Sequence, residues 1–133
     1  MVSRFGTTII CDNVYKDEST KKIVLAGVYA GSIVASAAPV VIRLTIYCEF
    51  WADKEGDHQL ELRFYVGGKQ FAGIKADLAG ARPSEAAIVV STPFDVTFSE
   101  PTTFEVRGII AGGKPKLLLK REFRVNPAIK TTA

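Results

Sequence analysis

The feature that most limits the possible folds is a strict alternation of apolar and polar residues across positions 42–50. In Ile42-Arg43-Leu44-Thr45-Ile46-Tyr47-Cys48-Glu49-Phe50 every even position is apolar, while Arg43, Thr45 and Glu49 share the opposite parity. Side chains along a β-strand point alternately to its two faces, so this segment reads as a strand with one face on a core. Leu60, Leu62, Phe64 and Val66 repeat the pattern, with Glu61, Arg63 and Tyr65 directed away. Between the two runs lies the polar stretch Asp53-Lys54-Glu55-Gly56-Asp57-His58. A polar, glycine-bearing stretch between alternating runs predicts a loop joining paired strands, so residues 42–66 are expected to form a hairpin.

No segment sustains a helical period. Residues 7–14 and 22–29 flank the polar turn Lys16-Asp17-Glu18-Ser19-Thr20. Gly67-Gly68 turns the chain into a strand over 69–76, because glycine tolerates the positive φ of tight hairpins. Residues 86–91 and 94–98 are further strands, and residues 103–110 and 116–125 flank Gly112-Gly113 as a last hairpin. Short strands broken by Gly, Pro and Asp turns predict an all-β antiparallel β-sandwich of roughly seven to nine strands. Parallel pairing needs crossover connections, for which no helix is available. Residues 30–39, carrying Ile33 and Val34, read as a loop, and residues 77–87, with Gly80 and Pro83, as room for a short helical turn. Pro127 is expected to take the tail, residues 126–133, out of the last strand. A chain of 133 residues fits one domain, 1–133, and needs no disulfide or structural metal to fold.

Composition narrows the chemistry. With 47% hydrophobic and 23% charged residues the chain is neither disordered nor collagen-like. Its apolar runs fall well short of the ~18 residues that span a bilayer. The start, Met1-Val2-Ser3-Arg4-Phe5-Gly6, lacks the pattern of a secretory signal, so a cytoplasmic protein is expected. Cys11 and Cys48 then read as reduced, buried thiols, with a disulfide across the sandwich as the alternative. Gly67-Gly68-Lys69 and Gly112-Gly113-Lys114 lack the longer loop, the Ser/Thr and the following helix of a phosphate loop, and read as turns. Asp53, Glu55 and Asp57 lack the spacing of a calcium loop and read as a solvated turn. His58 is the single histidine, and no serine sits in a nucleophile-elbow setting. No catalytic residue, cofactor or metal ligand is assigned, and a non-enzymatic protein is expected.

The surfaces are left to carry the function. Net charge is +3, with 10 Lys/Arg against 12 Asp/Glu in residues 1–100 and 7 against 2 in residues 101–133. In the basic end, Leu117, Leu119, Phe123 and Val125 form an inward face, which leaves Lys116, Lys120 and Arg124 toward solvent. That is the face of an ordinary exposed strand, so nucleic acid is not the favoured partner. Arg121 breaks the alternation, as a bulge or an edge position would explain. Tyr47 and Trp51 share the outward parity of the best strand with Val41. Either a second layer covers that face, or it presents an apolar interaction patch. The candidate interaction surface is Ile33, Val34, Tyr47, Trp51, Lys116, Lys120 and Arg124, for a protein partner or a second copy.

Several stretches together resemble a known family. They are the strand ending in Cys11-Asp12-Asn13, then Lys22-Ile23-Val24-Leu25-Ala26-Gly27-Val28-Tyr29, Gly56-Asp57-His58-Gln59-Leu60-Glu61-Leu62-Arg63, and Phe98-Ser99-Glu100-Pro101. In these the chain resembles a bacterial family of small β-sandwich proteins of unknown function. Where the family pattern has Pro-Gly-Tyr, this chain has Pro101-Thr102-Thr103-Phe104, so a different turn is expected. The resemblance implies an immunoglobulin-like sandwich and supplies no activity, cofactor or catalytic residue. The combined expectation is a non-enzymatic interaction or assembly module, with a larger particle such as a phage virion as one destination. The alternative is a small-molecule or carbohydrate-binding module that stacks its ligand on Trp51, Tyr47 or Tyr65.

Overall fold

A computed structural model describes residues 2–127 and shows only strands, turns and irregular segments among them. Among the described residues ten strands form, one more than the upper end of the expected range: β1 (Arg4–Lys16), β2 (Ile23–Val28), β3 (Ile33–Ala35), β4 (Val40–Trp51), β5 (Gly56–Val66), β6 (Lys69–Ala81), β7 (Ala87–Val90), β8 (Phe94–Phe98), β9 (Thr102–Ile110) and β10 (Lys116–Val125). They make two five-stranded sheets. The first runs β2-β1-β4-β7, with β8 also on β4, and the second runs β3-β10-β9-β5-β6. No helix in the described residues is long and apolar enough to cross a membrane.

The alternating runs face each other across one core. Leu44, Ile46, Cys48 and Phe50 of β4 are buried with Leu60, Leu62 and Phe64 of β5 in one apolar cluster. Aromatic stacks tie the sheets together: Phe98 of β8 lies 4.4 Å from Phe123 of β10, and Phe94 lies 4.9 Å from Phe64. Gly108 of β9 makes room for a third tie. A Cβ there would fall 2.5 Å from the Phe5 ring and 2.8 Å from Leu118, so only glycine lets β1 reach the second sheet.

Four expectations change. The segment over residues 53–58 joins no paired strands: β4 pairs with β1, β7 and β8, whereas β5 pairs with β6 and β9. It is an arch between sheets. Alternation reports which face of a strand is buried, not which strand lies beside it, and two strands facing one core from opposite sides look like a hairpin. The arch is pinned by Ser3, whose hydroxyl donates to Asp53 Oδ1 at 2.9 Å and accepts from Asp53 N at 3.0 Å. The His58 ring meets Lys54 O at 2.9 Å and packs 5.6 Å from Phe50.

The loop over residues 30–39 contains β3, which pairs in parallel with β10 through Phe123↔Ile33 and Val125↔Ala35. No crossover helix is needed, because the rest of the domain serves as the connection. Residues 77–87 hold no helical turn: β6 runs on to Ala81, and the chain turns at Pro83-Ser84. In β10 a register slip between Leu117 and Leu119 turns Leu117 outward, 50% exposed, and puts Leu118 against the core instead. Arg121 lies on the part of β10 that β3 leaves uncovered, and its Nε donates to Tyr29 O at 3.4 Å. An edge position accounts for it. Gly67-Gly68 makes the expected tight turn between Val66 and Lys69, with φ of +59° and +82°. Asn126 has left the β10 ladder as expected, and its N donates to Ala35 O at 2.8 Å; the rest of the tail, from residue 128, lies outside the described residues.

Candidate functional site

Each sheet turns one face to the core and the other outward, and the two outward faces are built on different chemistry. On the first sheet, register places Ile9, Tyr47 and Val90 in one row across β1, β4 and β7. The next row holds Val28, Cys11 and Thr45. Tyr47 and Cys11 are buried yet stand apart from the inter-sheet core, on the opposite face of their strands. The Tyr47 hydroxyl donates to Glu49 Oε2 at 2.9 Å. Burial first, and the Glu49 carboxylate second, push its pKa up to about 12. Thr45, also buried, donates to Asp12 O at 3.2 Å. Around this centre the edges of the patch stay in water: Val28 is 49% exposed and Val90 39%.

The second sheet's outward face is charged. Tyr65 pairs with Glu105, Arg63 with Arg107, and Glu61 with Ile109 across β5 and β9. Like charges directly opposite destabilise a sheet. Here each guanidinium is balanced from its own strand, Arg63 by Glu61 and Arg107 by Glu105, the latter at 3.0 Å. Contact with the Glu61 carboxylate pushes the Arg63 pKa further up. Arg107 also sits 4.4 Å over the Tyr65 ring, and Tyr65 and Glu105 are both buried beneath this layer. A shallow groove of about 520 Å³ runs between Glu61, Arg63, Lys75, Asp77, Ile109 and Gly112.

The expected surface residues do not meet in one place. Ile33 is fully buried, because pairing of β3 with β10 points it between the sheets; it belongs to the core rather than to a surface loop. Tyr47, at 9% exposure, is covered by its own face rather than presented. Trp51 is half-buried at the end of β4, with Arg4 5.3 Å over its ring. Val34 is half-buried beside exposed Arg124 on β10, where Lys120 is exposed as well. Lys116 is exposed at the start of that strand. Lys120 and Arg124 share the second sheet's outward face, opposite in the molecule to Tyr47.

Other candidate chemistry is accounted for locally. Cys11 and Cys48 are free thiols, both buried, and burial pushes both pKa values up. Cys11 Sγ donates to Asn13 O at 3.5 Å. Asp53 is held below the usual carboxylate range first by the Ser3 hydrogen bond, and Asp57 accepts from Gly80 N at 3.1 Å. Among the described residues no three His, Cys, Asp or Glu side chains gather as a metal-binding group.

The two outward ladders were missed because each depends on register. Glu61-Arg63-Tyr65 and Glu105-Arg107-Ile109 are visible as outward triplets, but nothing local says that they lie side by side.

With the geometry in place, the comparison with known families adds one result. A family of unknown function (DUF6941) matches residues 7–125. The chain belongs to this family. The match runs from β1 through the last residue of β10, so both outward faces lie within it. No curated protein matches.

Proposed function

We propose that this family member is an immunoglobulin-like β-sandwich acting as a non-enzymatic interaction or assembly module. Its first sheet's outward face meets an apolar surface on another protein chain. One observation carries the reading: the Ile9–Tyr47–Val90 row and the neighbouring Val28 leave apolar side chains in water around a tyrosine that their packing already buries. Solvated sheet faces are ordinarily polar, as the second sheet's face is. A contiguous apolar patch marks a place where another surface is excluded from water with it. Building larger particles, a phage virion among them, and residence in the cytoplasm belong to the same proposal by fold-level analogy.

Sugar or small-molecule stacking stands second. Tyr47 and Tyr65 are buried, and Arg107 and Arg4 lie over the Tyr65 and Trp51 rings, where such a ligand would stack.

The test is capture from the native source with the wild-type chain and with Val90→Glu. Val90 lies at the margin of the patch, so a carboxylate there is solvated in the free protein and desolvated only in a complex. A partner held by the wild type and lost by Val90→Glu, at unchanged thermal stability, is the expected result. A partner set indifferent to Val90→Glu would remove the support.

A further inference from the structure

The outermost strand of the second sheet carries a stretch that is chemically symmetric about Ala76. β6 pairs with β5 on one side, and among the described residues no strand pairs with its other side. Such an edge offers a row of unpaired N–H and C=O groups, which proteins commonly blunt with bulges and charges; β6 carries both, placed so that one regular run remains between the bulges. Both register slips of the β5–β6 ladder insert their extra residue on β6, at Phe71 and just after Leu78. They leave residues 72–78 as an even run. That run, with the two residues beyond it, reads Ala72-Gly73-Ile74-Lys75-Ala76-Asp77-Leu78-Ala79-Gly80.

Outward from Ala76, the residues on the two sides match in kind or complement in charge: Lys75 with Asp77, Ile74 with Leu78, Gly73 with Ala79, Ala72 with Gly80. The faces match from Gly73 to Ala79, whereas Gly80, exposed and at a φ of +64° beyond the second slip, does not mirror half-buried Ala72. Gly73, Lys75, Asp77 and Ala79 are exposed, and Ala72, Ile74, Ala76 and Leu78 are half-buried toward the core. The side chains of Lys75 and Asp77 make no hydrogen bond or ion pair among the described residues, although Glu61 stands opposite Lys75 and Gln59 opposite Asp77 in the ladder.

We propose that β6 is the interface to a second copy of this chain, joined antiparallel with the two-fold axis at Ala76. In that register Lys75 of each copy faces Asp77 of the other, twice over. Ile74 packs on Leu78 of the second copy and continues the apolar core across the joint. Shifting the axis to Lys75 sets lysine against lysine, so the charges select one register. The contact is isologous and closes as a dimer rather than propagating as a fibre. It is independent of the first sheet's outward face, which each copy keeps exposed.

The charge pattern supplies its own test. The full chain is studied by sedimentation equilibrium as wild type, Asp77→Lys, Lys75→Asp and the double exchange, with circular dichroism to confirm the fold. The wild type is expected to dimerise reversibly. Each single reversal sets like charges against each other in two places and raises the dissociation constant by about tenfold or more. The double exchange restores opposite pairs and returns the constant to within about threefold of wild type, since the same pairwise terms reappear. Amides of residues 72–78 should gain hydrogen-exchange protection with rising protein concentration. A wild type that stays monomeric throughout, a dimer indifferent to the single reversals, or a double exchange no better than the singles would each overturn the proposal. Val90→Glu leaves the dimer intact, which separates its failure from failure of the first sheet's face.

Discussion

The two outward faces sit over the same core and are built to opposite rules. On the first sheet a tyrosine, a threonine and a cysteine are buried in rows that also hold Ile9, Val28 and Val90, and the patch ends in half-exposed valines. On the second, Tyr65, Glu105 and Ile109 are buried beneath arginines balanced by glutamates, and the rim is charged. Both faces shelter large side chains without a covering layer. They differ in what a partner would have to desolvate around the buried centre: mostly valine and isoleucine on one, where the exposed Arg43–Asp95 pair lies off toward β8, and paired ions on the other. Removing ion pairs from water costs more than their mutual attraction returns unless the geometry is excellent. The apolar face is therefore the cheaper one to cover.

The contrast can be broken most strongly at Tyr47. Tyr47→Ala removes a buried aromatic whose neighbours cannot close the gap, and is expected to cost about 3 kcal/mol in urea-monitored unfolding. A loss below 1 kcal/mol would show that the face is not packed.

The next effect is in alkali. The Tyr47 pKa is raised to about 12 in the folded chain from an unfolded value near 10. Its neutral form is thus favoured by folding, a contribution fully present below pH ~10 and lost as pH rises toward 12. The loss amounts to about 2–3 kcal/mol by linkage. Tyr47→Phe should erase this share of the alkaline destabilisation, read as the difference between the two stability–pH curves.

The charged face answers more weakly. Glu105→Ala leaves Arg107 without its carboxylate, and a part-exposed pair of this kind is worth about 1–2 kcal/mol. That loss should shrink in 1 M salt, whereas the Tyr47→Ala loss should not. Smallest of all, Lys120→Ala and Arg124→Ala on the exposed face of β10 should change stability by no more than about 0.5 kcal/mol.

Much of the core was legible from the chain, and the reason is local. The inward sets of β4 and β5, Leu44 to Phe50 and Leu60 to Phe64, are written in their own alternation. Turn chemistry at Gly67-Gly68 and at Gly112-Gly113 was legible as well, because positive φ is a property of single residues. The neighbours joined by those turns were legible with them, β5 beside β6 and β9 beside β10; what failed was inference about neighbours that no tight turn joins. His58 and Asp53 sit in an arch rather than a hairpin. Ile33 sits in a strand whose partner comes from the far end of the chain, and the slip at Leu118 exchanges which leucine faces inward. A one-residue slip moves a side chain to the other face, and no local pattern announces it. The same holds for the outward faces. The parity of Tyr47 was correctly outward, but its burial depends on Ile9 and Val90, brought beside it only by the sheet. The symmetry of residues 72–80 could have been found in the sequence, yet it acquires meaning only once β6 is known to be an edge.

The comparison between the faces comes down to which one touches another protein. A photo-crosslinking side chain placed at position 90, and separately at position 124, puts a probe on each face without altering the buried centre of either. In the native source, crosslinks to another protein are expected from position 90 and not from position 124. Crosslinks from position 124 alone, or none from position 90 at native abundance, would contradict the assignment of the apolar face as the one that meets a partner.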